Sequence, residues 1–349
     1  MKLPEKPPIA PAFENNLTGR RILLIVASFF GYDKEIVNRL RARGAMVTVY
    51  EDRPSTTTLS KILNRLHPSL VSGAARRHVD RILSECRGRT FDDIVVIKGE
   101  AFTPPLLKRL FEAFPEARTT FYMWDSFSNS KGSRAKLVLF DRYLTFDPVD
   151  AANTKGLVLR PLFFVPSYIR QSKTNPDIDI LFVGTVHTDR YAVLKKLSSR
   201  LPVSTKRHYF LYFPARFIYH VRRVLDPQFW SSKMEEFSFV PLSHQENSQL
   251  YARARAIVDV ERAIQTGLTM RTFEVLASGK KLITTNPSIR QSELFDEANV
   301  CVIDRKNPEV LPDFFDRPFK PLQAETLHRY SLDGWIDDVF LANHFADRR

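Results

Sequence analysis

The sequence predicts an α/β protein built from two Rossmann-like, doubly wound halves, and three stretches carry that reading. Arg21 to Phe29, RILLIVASF, is a near-continuous apolar run of the kind that forms a central parallel strand buried on both faces. Ile178 to Val183 restarts the pattern after Ser172 to Asp177, a polar stretch without hydrophobic period. Met270 to Asn286, MRTFEVLASGKKLITTN, reads as a short helix, a Gly279 cap and another buried strand. At 349 residues, 44% hydrophobic and 26% charged, the chain is long enough for two cores and too apolar for disorder.

In the first half, residues 1–19 are proline-rich and polar with no apolar leader, and are expected to form a flexible arm. After the first strand, Ile36, Val37 and Leu40 make one helical face closed by Gly44, and Ala45 to Tyr50 a second strand. The turn between them, Ser28 to Asp33, lacks G-x-G-x-x-G, which disfavours a dinucleotide. Thr57 to Arg87 reads as basic and helical, with Arg76, Arg77, His78 and Arg81 clustered on adjacent turns, read first as a solvated face and second as an acceptor-side or membrane-facing one. Strands are expected at Phe91 to Lys98 and Thr119 to Asp125, with a helix from Pro104 to Phe114 between them. Leu137 to Phe140, Arg142 to Phe146 and Leu157 to Phe163 read as further strand material. The first domain is thus expected to span 20–170 and the second 178–322, with a terminal helix in 323–349.

In the second half, Gly184-Thr185 follows the opening strand directly; Gly184 permits close backbone approach to a ligand, and Arg190 begins a helix that can reach phosphate oxygens. Between Thr205 and Leu225, Phe217, Ile218, Val221, Val224 and Leu225 form an apolar stripe beside Arg216, His220 and Arg223. The stripe is read first as core-facing; the second reading is an interfacial helix on anionic lipid, with Phe217 or Trp230 as anchor. A helix from Gln245 to Arg255 and a strand from Ala256 to Val260 end in Glu261. Short helices around Ser288 to Phe295 and Pro308 to Phe315, a strand at Val300 to Ile303 and a final segment from Ala324 to His344, with its apolar residues at largely helical spacing, complete the chain.

The chemistry concentrates at the start of the Met270 helix. Unpaired backbone amides beside Thr269 and Arg271, with Glu274 one turn on, suit a diphosphate joined to a ribose. The pattern R-x-F-E-x-L-A-S-G-x-x-L-I-T resembles the donor-binding helix of GT-B glycosyltransferases, especially the group that includes the CgeB-like proteins. The resemblance implies two Rossmann-like domains facing across a cleft, a final helix crossing back to the first domain, and a nucleotide-sugar donor of UDP, GDP or CMP type with no further cofactor. It implies that Glu274 holds the ribose, that Arg271 faces the phosphates, and that Gly184, Thr185, Arg190 and Glu261 complete the donor site. Retaining members of the commonest group carry a second glutamate where this chain has Thr266, so the motif assigns neither retention nor inversion.

For the acceptor side, strand C-terminal ends line the crevice of open α/β sheets, which places Lys98, Glu100 and Asp125 near one edge. Asp125, between Trp124 and Ser126, is the candidate general base, with N-capping as its alternative role; Glu100 is a further catalytic candidate. Arg190 and Arg271 are expected to stabilise the departing diphosphate in place of a metal, and no metal ligands are assigned. Asp177-Ile178-Asp179 spells D-x-D but precedes its strand and reads as a linker, while Cys86 and Cys301 read as buried thiols.

The net charge of +13 divides into +9 over residues 1–160 and +4 over the rest, which points to an anionic partner. No nucleic-acid module is visible, so nucleic acid is not expected. The expected partners are a nucleotide-sugar donor, a surface-glycan or lipid-linked acceptor and an anionic membrane surface, met on the inner face of the cytoplasmic membrane by a cytoplasmic protein. Two rivals are a sugar-nucleotide 2-epimerase of the same fold and a non-enzymatic basic protein binding acidic lipid or nucleic acid.

Overall fold

The computed structural model describes residues 16–53, 68–169, 175–311 and 313–341. Two six-stranded parallel sheets form the two cores. In the first, β1 (Arg21–Val26) lies between β2 (Met46–Glu51) and β3 (Asp93–Ile97), and the sheet continues through β4 (Arg118–Met123), β5 (Arg142–Thr145) and β6 (Val158–Leu159). The register sets Ile22 beside Val47 and Asp93. Residues 22–26 are buried, as expected of a strand covered on both faces. Helices α1 (Tyr32–Ala42), α2 (Pro68–Glu85), α3 (Pro104–Glu112) and α4 (Pro148–Ala152) make the crossovers.

The second sheet has the order β12-β11-β10-β7-β8-β9, with β7 at Ile178–Thr185, β8 at Arg207–Tyr212, β9 at Phe237–Ser238, β10 at Ala254–Asp259, β11 at Lys281–Thr284 and β12 at Val300–Val302. Strand order reverses on either side of β7, and the crevice outside the C-terminal ends of β7 and β10 is where this architecture binds ligands. Helices α5 (Arg190–Arg200), α6 (Arg216–Leu225), α7 (His244–Arg253) and α8 (Met270–Ala277) connect the strands. A cluster of Phe182, Tyr191, Phe213, Tyr219, Phe229 and Phe237 forms part of the core.

By contacts the chain divides into two compact units, one of residues up to Tyr122 with Gly132–Tyr143, the other of Met123–Lys131 with Leu144–Arg349. The segment after β6 joins the second unit because the last helices clasp it. The amide of Phe164 donates to the Tyr330 carbonyl and the amide of Leu332 to the Phe164 carbonyl, both at 2.9 Å, and Phe163 packs on Trp335 at 5.1 Å. Arg160 pairs with Asp338 at 2.7 Å.

Several expectations need correction. The terminal helix is not continuous: α9 (Ala324–Arg329) ends at Tyr330, and Ser331 caps α10 (Leu332–Ile336) by accepting from the Gly334 amide at 3.1 Å. The bend requires glycine, because a Cβ on Gly334 would lie 2.3 Å from the His328 carbonyl oxygen. Leu137–Leu139 belongs to a 3-10 helix, Lys131–Leu139, rather than a strand. Within 308–315 the described residues form no helix, with a turn at 313–315, and the Ser288 helix is a 3-10 turn over Pro287–Gln291. His78 is buried, with Nε2 2.7 Å from the Glu51 carbonyl, and so does not share the exposed face of Arg76 and Arg77. Residues 16–19 are a turn anchored by buried Leu17, whose amide donates to the Arg43 carbonyl. The rest of the proposed arm, the start of the basic region at 57–67 and the linker at 172–174 lie outside the described residues. Finally, the α6 stripe is not core. Of its five apolar residues only Ile218 packs inward; the buried side chain is Tyr219, whose ring sits against Phe213 and Phe237.

Candidate active site

The second sheet brings Gly184, Thr185, Arg190, Glu261, Arg271 and Glu274 to one rim, at the C-terminal ends of β7 and β10 and the first turns of α8. Asp259, the last residue of β10, organises them. It is fully buried and accepts from Arg271 Nη1 at 2.8 Å, Thr269 Oγ1 at 2.6 Å and Thr272 Oγ1 at 3.4 Å. A buried carboxylate needs such partners, and here all three come from α8 and its N-cap residue. The other arm of Arg271 donates to the Val183 carbonyl, and the guanidinium lies over the Phe182 ring at 5.1 Å. Burial acts to lower the pKa of Arg271, but Asp259 and then Tyr251 and Glu274 hold it above the ordinary value.

Gly184 has a spatial reason to be glycine. A Cβ there would lie 2.8 Å from Arg271 Nη2, so the close approach that Gly184 permits is that of the chain's own guanidinium. Arg190 is buried at the start of α5 and ties the two strand ends together, donating from Nε to the Val260 carbonyl at 2.5 Å and from Nη1 to the Thr185 carbonyl at 3.0 Å. Burial, then Arg271, lowers its pKa to about 9, and it stays cationic at neutral pH.

Glu274 is buried on α8 with the Tyr251 hydroxyl 3.5 Å away, in a polar group continued by Tyr168, whose hydroxyl accepts from Asn247 at 2.7 Å. Glu261 is also buried, paired to Arg305 at 2.5 Å; Arg305 reaches on to Asp189 at 2.7 Å and so clips the loop after β10 to the loop after β7. Burial raises the Glu261 pKa, with Thr285 and Arg305 opposing. Neither Asp259 nor Arg305 was picked out from the sequence. Asp259 had a signal: a carboxylate closing a buried run, AIVD, demands a partner. Arg305 had none, since its partner Glu261 is 44 residues away.

His187 sits on the loop between β7 and α5, followed by Thr188 in the left-handed region at φ 52. Burial and the surrounding guanidiniums of Arg190, Arg262, Arg222 and Arg271 push its pKa down to about 3. It is therefore neutral at physiological pH. Between the unfolded value near 6.5 and the folded value the unfolded chain binds a proton that the native chain does not, so stability falls as pH falls through that window. A His187→Gln variant should lose less stability than the parent between neutral pH and pH ~5, by up to about 1.4 kcal/mol per pH unit. Thermal unfolding of both proteins across this range checks it. Asp52 and Asp93, raised by burial to about 6, titrate equally in both and cancel in the difference.

Asp125 follows β4 and is half-buried. Its loop is pinned by the Phe127 amide donating to Asp150 at 2.7 Å, and Trp124 packs edge-on against Phe163 at 6.0 Å. In the same unit Arg262 Nη1 lies 3.4 Å from Asn129 Oδ1, so this loop approaches the one that leads to α8. Glu100 lies in the first unit and is paired with Lys98 at 2.9 Å and with Arg53. Burial acts to raise its pKa, but those two cations hold it below the ordinary value. The turn is strained, with Lys98 at φ 73, and is held by buried Asp52, which accepts from the Glu100 amide at 2.9 Å. Asp177 and Asp179 pair with Arg253 and Arg255; Asp177 precedes β7, but Asp179 is its second residue, so the D-x-D is not wholly a linker.

No family model and no curated protein matches this sequence. Among solved structures, Anabaena Alr3699/HepE in complex with UDP and glucose matches with a TM-score of 0.59 at 10% identity, over 92% of this chain and 98% of that one. The same protein in complex with UDP-glucose matches with a TM-score of 0.58 at 11% identity, over 91% and 98%. The chain has the GT-B fold. A putative UDP-N-acetylglucosamine 2-epimerase from Listeria monocytogenes matches at a TM-score of 0.47 and 9% identity over 92% and 94%, which bears on neither rival reading. Within the GT-B fold the rim of the second sheet is the part built here around Asp259, and Arg271 and Glu274 both lie inside it rather than on an outer surface.

Proposed function

We propose that the protein transfers a sugar from a nucleotide-sugar donor to a hydroxyl of a surface-glycan or lipid-linked acceptor, without a metal. The observation that carries this reading is the convergence of Arg190, Arg262 and Arg271 around neutral His187, beside the first turn of α8. A group of cations beside a helix start favours a diphosphate, most of all as leaving-group charge develops, although Arg190 and Arg271 also donate to the chain's own carbonyls and to Asp259. That HepE is seen with UDP and with UDP-glucose supports a donor of this class. In the reaction the bond from the sugar's anomeric carbon to the diphosphate breaks, a bond to the acceptor oxygen forms, and the hydroxyl proton passes to Asp125. Glu100, kept ionised by Lys98 and Arg53, is the second candidate base. Glu274 and Glu261 serve the donor side, Glu274 with the ribose hydroxyls, while Gly184 and Thr185 shape the phosphate loop.

A thermal-shift screen of UDP-, GDP- and CMP-sugars tests the donor site. One nucleotide family is expected to stabilise the protein by about 2.7 kcal/mol at a hundredfold excess over Kd, and Glu274→Ala is expected to abolish the shift. A shift that survives Glu274→Ala would remove that residue from the site. Release of an epimerised sugar with no acceptor present would instead establish the epimerase reading.

A further inference from the structure

Helix α6 has one fully buried side chain, Tyr219, whose hydroxyl donates to the Ser232 carbonyl at 3.2 Å, with Ile218 packed inward beside it and Arg222 over the Phe229 ring. Its apolar stripe faces away from that contact. Phe217 and Val221 are half-exposed, and Val224 and Leu225 are 74% and 76% exposed. Their spacing of four, seven and eight residues from Phe217 keeps all four on one face. Five residues beyond the helix Trp230 is 63% exposed. Such a row of large apolar groups on one face is a contact surface rather than scattered exposure.

The charges around the stripe identify what covers it. The helix carries Arg216, Arg222, Arg223 and His220 and no carboxylate. On the helical wheel Arg216, His220 and Arg223 line one edge of the apolar face. A second copy of this chain would bring like charges together, whereas a bilayer of acidic phospholipid offers acyl chains to the stripe and headgroups to the arginines. The chain's net charge of +13 favours the same partner.

We propose that α6, with Trp230, docks the protein on an anionic phospholipid surface, the helix lying in the plane of the headgroups with Val224 and Leu225 inserted. The inference does not rest on the donor site, which the nucleotide-sugar thermal shift reads separately, so either can fail alone.

Co-sedimentation tests it, with vesicles of phosphatidylglycerol and phosphatidylcholine compared with phosphatidylcholine alone. The protein should pellet with the mixed vesicles, less so as salt rises, and little with phosphatidylcholine. The Val224→Ser/Leu225→Ser variant should bind the mixed vesicles at least about tenfold more weakly, with an unchanged melting temperature because both side chains start exposed. Arg216→Gln/Arg223→Gln should lose the preference for phosphatidylglycerol. Binding by the serine variant equal to that of the parent overturns the proposal. So does a parent that ignores vesicles, or one that self-associates without lipid and becomes monomeric in the serine variant.

Discussion

Replacing Asp259 with alanine should lower the unfolding free energy by about 3 kcal/mol, the lower end of the range for breaking a buried ion pair. The lower end applies because the Arg271 side chain keeps some exposure while that of Asp259 keeps none. The substitution strands a guanidinium held beside the Val183 carbonyl and deprives the hydroxyls of Thr269 and Thr272 of their acceptor. Urea unfolding followed by tryptophan fluorescence gives the number. Asp259→Asn should recover part of the loss, since its amide oxygen still accepts. A loss below about 1 kcal/mol would put the pair in the class of exposed bridges and would mean that water reaches it freely.

Asp125→Asn should reduce transfer by about 10²–10⁴, the usual contribution of a positioned general base, while leaving the nucleotide-sugar thermal shift intact. The amide is close to isosteric with the carboxylate, so the loop pinned by Asp150 stays in place and the loss is one of proton affinity. Turnover assayed with donor and acceptor, beside the shift measured on the same preparation, separates the two effects. Retained turnover would remove Asp125 as the base. Glu100, the second candidate, is held in its ionised form by Lys98 and Arg53.

Both sheets were legible because their central strands are continuous apolar runs, and a run such as ILLIV or ILFV has few other places to go. Arg271 and Glu274 were legible because a helix start, a cation and a carboxylate lie within six residues. Asp259 was passed over because its partners lie 10 to 13 residues on, across a loop whose path no local pattern fixes. Periodicity identified α6 as amphipathic but gave its faces no direction: a stripe at helical spacing looks the same whether it meets a core or open solvent. Tyr219, a single aromatic against Phe213 and Phe237, decides the matter, and it lies off the stripe. The break between α9 and α10 did carry a local sign, Ser331 followed by Asp333, which marks a new N-terminus inside an otherwise helical pattern.

Position 184 is reserved for a neighbour's sake. A side chain there would force the guanidinium that spans the Val183 carbonyl and Asp259 to shift, and a shorter residue at 271 would leave space beside the Phe182 ring. A side chain at 184 and the guanidinium at 271 therefore compete for one volume, although they stand 87 positions apart in the chain.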